Sequence, residues 1–136
     1  MQYVESPERQ SWMISEVATV PGVRHVIVFS SDGLLLACSE GIDRDSADRL
    51  SANCSGLQSL GRSLGRDFGE EDGAVHQQMV DFRGGYLFMR SAAGTHLAAV
   101  TGPVVDPGLV AQRMQAQILR IGAVRPGGGP PPRGDA

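Results

Sequence analysis

Apolar residues recur along this chain with two different periods, and the switches between periods mark its elements. Met13, Ile14, Val17 and Val20 return at helical spacing, with Trp12 beside the stripe. Ser6-Pro7 ahead of them reads as N-cap and first helical position, because proline there loses only a donor that has no intrahelical partner. Pro21-Gly22 ends that helix. Val23–Ser30 (VRHVIVFS) is short and rich in Val, Ile and Phe, which reads as a strand. Asp32-Gly33 follows, a dipeptide that favours the two-residue type I′ hairpin turn, and Leu34–Ser39 (LLLACS) is the returning strand.

The helical period then resumes. Asp43 or Asp45 is placed to cap a long helix whose Leu50, Asn53, Leu57, Leu60 and Leu64 are expected to line its core side. The acidic loop GEEDG, Gly69–Gly73, closes it. Three strands follow, roughly Ala74–Phe82, Tyr86–Ala92 and Thr95–Thr101. RGG and AAG join them, both short enough for hairpins, so the three make an antiparallel meander. Asp106-Pro107 is a second N-cap pair, and Val110, Met114, Ile118 and Ile121 share one face of the helix it starts, which ends near Gly122. The order α-β-β-α-β-β-β-α predicts an α+β domain over residues 7–124, a five-stranded antiparallel sheet with helices on its faces. Residues 125–136, PGGGPPPRGDA with the preceding arginine, have nothing to anchor a core and are expected to be a disordered Pro/Gly-rich tail. Its Arg133-Gly134-Asp135 is an adhesion tripeptide in secreted proteins and is not expected to act as one here.

Bulk properties narrow the class. A chain of 136 residues with 41% hydrophobic content suits one core. Net charge is −3 and aromatics are 5%, which argues against phosphate backbones and base-stacking platforms, so no nucleic acid is expected. No apolar run approaches the roughly 20 residues of a membrane helix. The first residues, MQYVESPERQSWM, lack the basic and apolar regions of a signal peptide. A cytoplasmic protein without membrane insertion is expected. All 12 basic residues are arginine, which removes lysine chemistry such as a Schiff base or a P-loop. Cys38 and Cys54 lack metal-site spacing and read as small buried hydrophobes.

No catalytic, cofactor or metal site emerges from the residues. His25, His76 and His96 each fall in an expected strand, with nothing to bring two of them together with a carboxylate. Asp43, Asp45 and Asp48 begin like a calcium loop, but Ala47, Asp48 and Cys54 stand where its acid, glycine and glutamate are needed. They fit better as acids at the positive end of a helix dipole. Gly61–Asp67 has two glycines but neither phosphate-loop pattern, so no nucleotide is expected to bind the chain itself. Broadly opposite the leucines lie Asp48, Ser51, Ala52, Ser55, Ser59, Arg62 and Arg66. Solvated helix faces usually carry long charged side chains, whereas small ones let another backbone approach, so this face is expected to dock a partner. Val75, Gln77 and Met79 join it as an expected edge strand with no proline or lysine to guard it.

Specific residues add a resemblance. Trp12, Pro21-Gly22-Val23, His25, Ser31-Asp32-Gly33-Leu34, Ala37, Ser39-Glu40-Gly41, Arg44-Asp45, Ala47-Asp48, Ser55-Gly56-Leu57 and Gly85-Tyr86-Leu87-Phe88 fall in an order and spacing that closely resembles the roadblock family of dynein-light-chain-like domains. The likeness runs from about Gln10 to Val124. It is strongest to short actinobacterial members encoded beside a sensor-kinase-like protein and a small Ras-like GTPase. The resemblance implies the profilin-like roadblock fold, with one helix on one face of the sheet and two on the other. It implies a homodimer joined through the third strands, whose paired middle helices present a platform to a Ras-like GTPase. In some bacterial relatives such a dimer accelerates GTP hydrolysis without an arginine finger; here Arg62 or Arg66 would be the residues for one. The family has no fixed catalytic set, so a non-enzymatic regulator or scaffold is expected, with the kinase-like protein as a further partner. Two other readings stay open: a profilin- or PAS-like small-ligand sensing module, and a hydrolase using Cys38 or Cys54.

Overall fold

The computed structural model of the chain describes residues 11–123, so the expectations for Ser6-Pro7 and for the tail fall outside the described residues. A 3₁₀ turn (Ser11–Met13) and a one-turn helix α1 (Ser15–Ala18) precede β1 (Val23–Ser30) and β2 (Leu35–Cys38). The long helix α2 (Arg44–Phe68) follows, then β3 (Gln77–Phe82), β4 (Gly85–Ala92), β5 (Thr95–Thr101) and α3 (Pro107–Gly122). The five strands form one antiparallel sheet in the order β2-β1-β5-β4-β3.

Strand alternation divides the core in two. Val26, Val28, Phe88, Leu97 and Ala99 face α1 and α3, where Val17, Val110, Met114, Ile118 and Ile121 meet them. Ile27, Phe29, Leu87, Met89 and Ala98 face the other way, against Ala47 and Cys54 of α2. The α+β profilin-like layout, with the middle helix alone on its face, is therefore as the sequence indicates. Both long helices start on aspartate: the Asp43 carboxylate accepts from the Ser46 N–H at 2.7 Å, and Asp106 from that of Leu109 at 3.1 Å, with Pro107 just inside.

Three local expectations need correction. The first helix is broken, because the buried amide of Gln117 on α3 inserts into its ladder. Glu16 N–H would reach Trp12 C=O in a continuous helix; instead it donates to Gln117 Oε1 at 2.6 Å, and Gln117 Nε2 donates to the Trp12 carbonyl at 2.9 Å.

The Asp32-Gly33 turn is not type I′. Ser30 N–H donates to Leu34 C=O and Gly33 N–H to Ser30 C=O, both at 2.9 Å, closing a three-residue loop with only Gly33 at positive φ, +89°. Ser31 is drawn into the loop by its N–H, which donates to the Gly94 carbonyl at 3.0 Å. A bulge at Leu36 absorbs the change of register, since Val28 faces Ala37 while Phe29 faces Leu35. The turn with both central residues at positive φ is Ala93-Gly94, at +51° and +81°.

The third correction is the orientation of α2. Ala47, Ser51 and Cys54 are the buried line, with Ser51 only 2% exposed. Leu50 and Leu57 pack at its border, while Asn53, Leu60 and Leu64 are exposed. Helix and sheet approach closely here, so the contact line takes small side chains and the leucines turn to one flank. Of the small residues expected to dock a partner, Ser51 faces the chain's own sheet, and the close approach of the chain's own backbone falls at Gly61 and Gly65. A Cβ on Gly65 would sit 2.1 Å from the Gly73 carbonyl oxygen, and one on Gly61 2.9 Å from Gln78 Nε2.

Candidate functional site

Two flanks of α2 carry features that the core does not use. The first runs along Leu57, Leu60, Leu64 and Phe68. Gly61 lies over Val75 and Gln78, so this half of the helix overhangs the β3 edge of the sheet. Leu60, Leu64 and Phe68 are 66%, 61% and 83% exposed, a run of large apolar side chains on one helical stripe. β3 is the last strand of its sheet, and its outer backbone groups have no strand beside them among the described residues. Its Met79 and Phe82 are exposed as well. Contiguous exposed apolar surface of this kind is a general mark of interaction surfaces.

The second flank carries Ser55, Gln58, Ser59 and Arg62. Together with the turn tips at Ser31 and Gly94 and the loop from Asp72 to His76 it encloses an open groove of about 380 Å³, with an adjoining lobe of about 120 Å³ under Ser55 and Ser59. His96, 4% exposed and in contact with the Phe29 ring at 5.1 Å between centroids, forms the floor. Both of its ring nitrogens are held. Ser31 Oγ lies 3.0 Å from Nε2, Ser91 Oγ 2.7 Å from Nδ1, and Ser91 donates onward to Gln58 Oε1 at 3.2 Å. With its own proton on Gln58, Ser91 accepts from Nδ1–H, while Ser31 Oγ faces both Nε2 and the Gly94 carbonyl, 3.2 Å away. Burial holds the His96 pKa below its ordinary value, and the Arg62 charge lowers it further, so the imidazole is neutral. The groove thus gathers His76, His96 and Asp72, which strand parity alone does not foresee. Among the described residues no three His, Cys, Asp or Glu side chains are grouped to hold a metal. The hydrogen-bonded run Ser31–His96–Ser91 ends on the Gln58 amide, and no carboxylate contacts the imidazole among the described residues.

The residues singled out in the sequence are distributed over both flanks. Ser51 is corrected: it lies under the helix against the sheet, where no partner reaches it. Asp48 and Ser55 are partly buried, and Asp48 Oδ1 has no hydrogen-bond partner among the described residues. Ala52, Ser59, Arg62 and Arg66 are exposed on the groove side. Val75 precedes β3 and is partly buried beside Gly61, while Gln77 and Met79 are exposed on the edge strand. Sequence reasoning misses Leu60, Leu64 and Phe68 because leucine at helical spacing reads as core. The line Ala47, Ser51, Cys54, Gly61, Gly65 holds the same spacing and is the signal that could have found them. Cys54 is buried and its thiol pKa is pushed up to about 12, which removes it as a nucleophile.

An αββαβββα order on one five-stranded antiparallel sheet, with the middle helix alone on its face, describes a profilin-like α+β domain. The chain belongs to the Roadblock/LC7 domain family, whose model matches residues 11–101. A Roadblock/LC7 domain from Streptomyces avermitilis is 34% identical, with 84% of this chain and 94% of that one covered and a TM-score of 0.76. At 17% identity the fold matches the gliding protein MglB of Thermus thermophilus, covering 86% and 88% of the two chains with a TM-score of 0.70. Acanthamoeba castellanii profilin IB shares the fold at 12% identity, 83% and 95% coverage and a TM-score of 0.59. None of the curated proteins matches the chain.

Proposed function

We propose that this chain is a non-enzymatic homodimeric regulator, in the cytoplasm, whose paired α2 helices hold a small Ras-like GTPase and modulate its nucleotide state. The observation that carries the reading is the Leu60, Leu64 and Phe68 overhang beside the open β3 edge. Two β3 strands paired antiparallel about a two-fold axis normal to the sheet extend it from one protomer into the next. That operation keeps both α2 helices on one face, and the two overhanging stripes cover each other above the junction. Gln77 and Met79 then lie in the joint, and the exposed Ala52, Ser59, Arg62 and Arg66 are left for partners. The Roadblock/LC7 membership and the MglB likeness support a place in a GTPase system, and the sensor-kinase-like protein is a second partner on the sequence resemblance alone.

Titration calorimetry of the chain against the Ras-like GTPase, loaded in turn with GDP and a GTP analogue, tests the partner. Micromolar or tighter binding that differs between the two states is expected; no heat in either state removes the GTPase from the reading. The second reading, a ligand-sensing module, is favoured by one observation only, the groove over His96.

A further inference from the structure

Besides the imidazoles of His76 and His96, the groove carries one guanidinium and one carboxylate that are not paired with each other. Arg62, on α2, and Asp72, in the loop that follows it, both line the groove, yet they form no ion pair among the described residues. Asp72 is fixed by a different bond, its Oδ1 accepting from the Ala74 N–H at 3.0 Å. The floor between them adds no charge, because His96 is neutral and both its nitrogens are engaged by Ser31 and Ser91. Gln58 accepts the Ser91 proton on Oε1, which turns its NH₂ group away from Ser91, and it stands one helical turn before Arg62 on the same flank. Arg62 and Gln58 therefore make a donor-rich wall suited to a carboxylate, where a planar guanidinium binds well. Asp72 makes an acceptor wall suited to an ammonium. A ligand with only one of these charges meets repulsion from the wall it does not match. One with both is matched at each end. The volume of about 380 Å³ falls within the roughly 300–1,000 Å³ of ordinary small-ligand sites.

We propose that this groove is a binding site for a small zwitterion of the free amino-acid class, its carboxylate on Arg62 and Gln58 and its ammonium on Asp72. Its α2 residues, Gln58 and Arg62, lie on the flank away from Leu60 and Leu64.

The test is titration of the full chain with the common L-amino acids, one at a time, followed by amide chemical shifts and melting temperature. At least one is expected to give saturable shifts at Ser31, Ser91 and Gly94. Arg62→Gln and Asp72→Asn should each weaken that binding by about tenfold or more, the loss of one charge-assisted contact. Asp72→Asn keeps an oxygen for the Ala74 cap, and both side chains are exposed, so both variants should fold. The same acid lacking its amino group should bind the wild type less well and gain affinity in Asp72→Asn. Leu64→Glu should bind the amino acid as the wild type does, which separates this site from the interface. The proposal is overturned if no amino acid gives saturable shifts, if both substitutions leave binding unchanged, or if the des-amino acid binds equally well.

Discussion

Gln117 has no solvent-exposed surface, yet both ends of its amide are in use, one on the Glu16 N–H and one on the Trp12 carbonyl. It thus joins α3 to the chain start, helped by the Arg120–Glu16 ion pair at 3.5 Å and by Arg120 lying 6.0 Å from the Trp12 ring centroid. Replacing it with leucine removes two hydrogen bonds while leaving both backbone partners in place. Gln117→Leu is expected to lower stability by about 1–3 kcal/mol, read from urea denaturation. His96 gives the second residue-level prediction. Its pKa in the folded protein is depressed, chiefly by burial, so the unfolded chain binds its proton more readily. The contribution of neutral His96 is complete above the unfolded value of about 6.5 and declines as pH falls from there toward the folded pKa. Melting temperature should therefore drop on acidification below about pH 6.5, and His96→Asn should flatten that limb of the curve. A curve unchanged by the substitution would remove His96 as its cause. None of this is legible in the sequence, where Gln117 sits in an ordinary helical pattern and His96 in an ordinary strand.

At the level of elements, α2 separates what spacing tells from what packing decides. Its start at one of Asp43 and Asp45, its end at Gly69 and its single face on the sheet follow from capping chemistry and apolar period, and the structure selects Asp43. Which face is inward does not. The glycines make the point testable, since a helix interior normally gains about 1 kcal/mol when glycine becomes alanine. Gly56 is exposed, and a methyl added there would meet nothing within 4 Å, so Gly56→Ala should deliver that gain. At Gly65 the methyl would lie 2.1 Å from the Gly73 carbonyl oxygen, and the Gly73 backbone cannot yield, being itself at φ +69° against Gly65. Gly65→Ala should therefore destabilise despite its better helix propensity. Paired thermal melts decide it; an equal gain at both positions would mean the helix does not sit so close.

For the whole molecule, the division of the sheet into two faces leaves one helix to cover the α2 side, and that helix leaves its own leucines uncovered beyond β3. In the proposed dimer, a second copy would cover both the open strand edge and the bare stripe in one contact. A dimer of this kind links stability to concentration, because only the folded pair is held by the interface. The melting temperature of the wild type is expected to rise with protein concentration. Leu64→Glu should abolish that dependence and give a monomer by light scattering, with its circular dichroism intact because Leu64 is exposed in the single chain. A Leu64→Glu protein that stays dimeric would move the interface elsewhere.

The sequence by itself determined the element order, the Asp106 cap, the inward faces of α3 and of the central strands, and the family, and it narrowed the α2 cap to Asp43 or Asp45. Each of these depends on periods and caps that neighbouring residues set locally, and on a spacing of motifs shared with relatives. Only the tertiary structure decided that Ser51 lies inward and Leu64 outward, that Gln117 breaks the first helix, that the I′ turn falls at Ala93-Gly94, and that Arg62 and Asp72 share one groove. Those outcomes depend on the distance between elements that are far apart in the chain. A helical period states that one side is buried, but the closeness of the approach selects which side chains fit there.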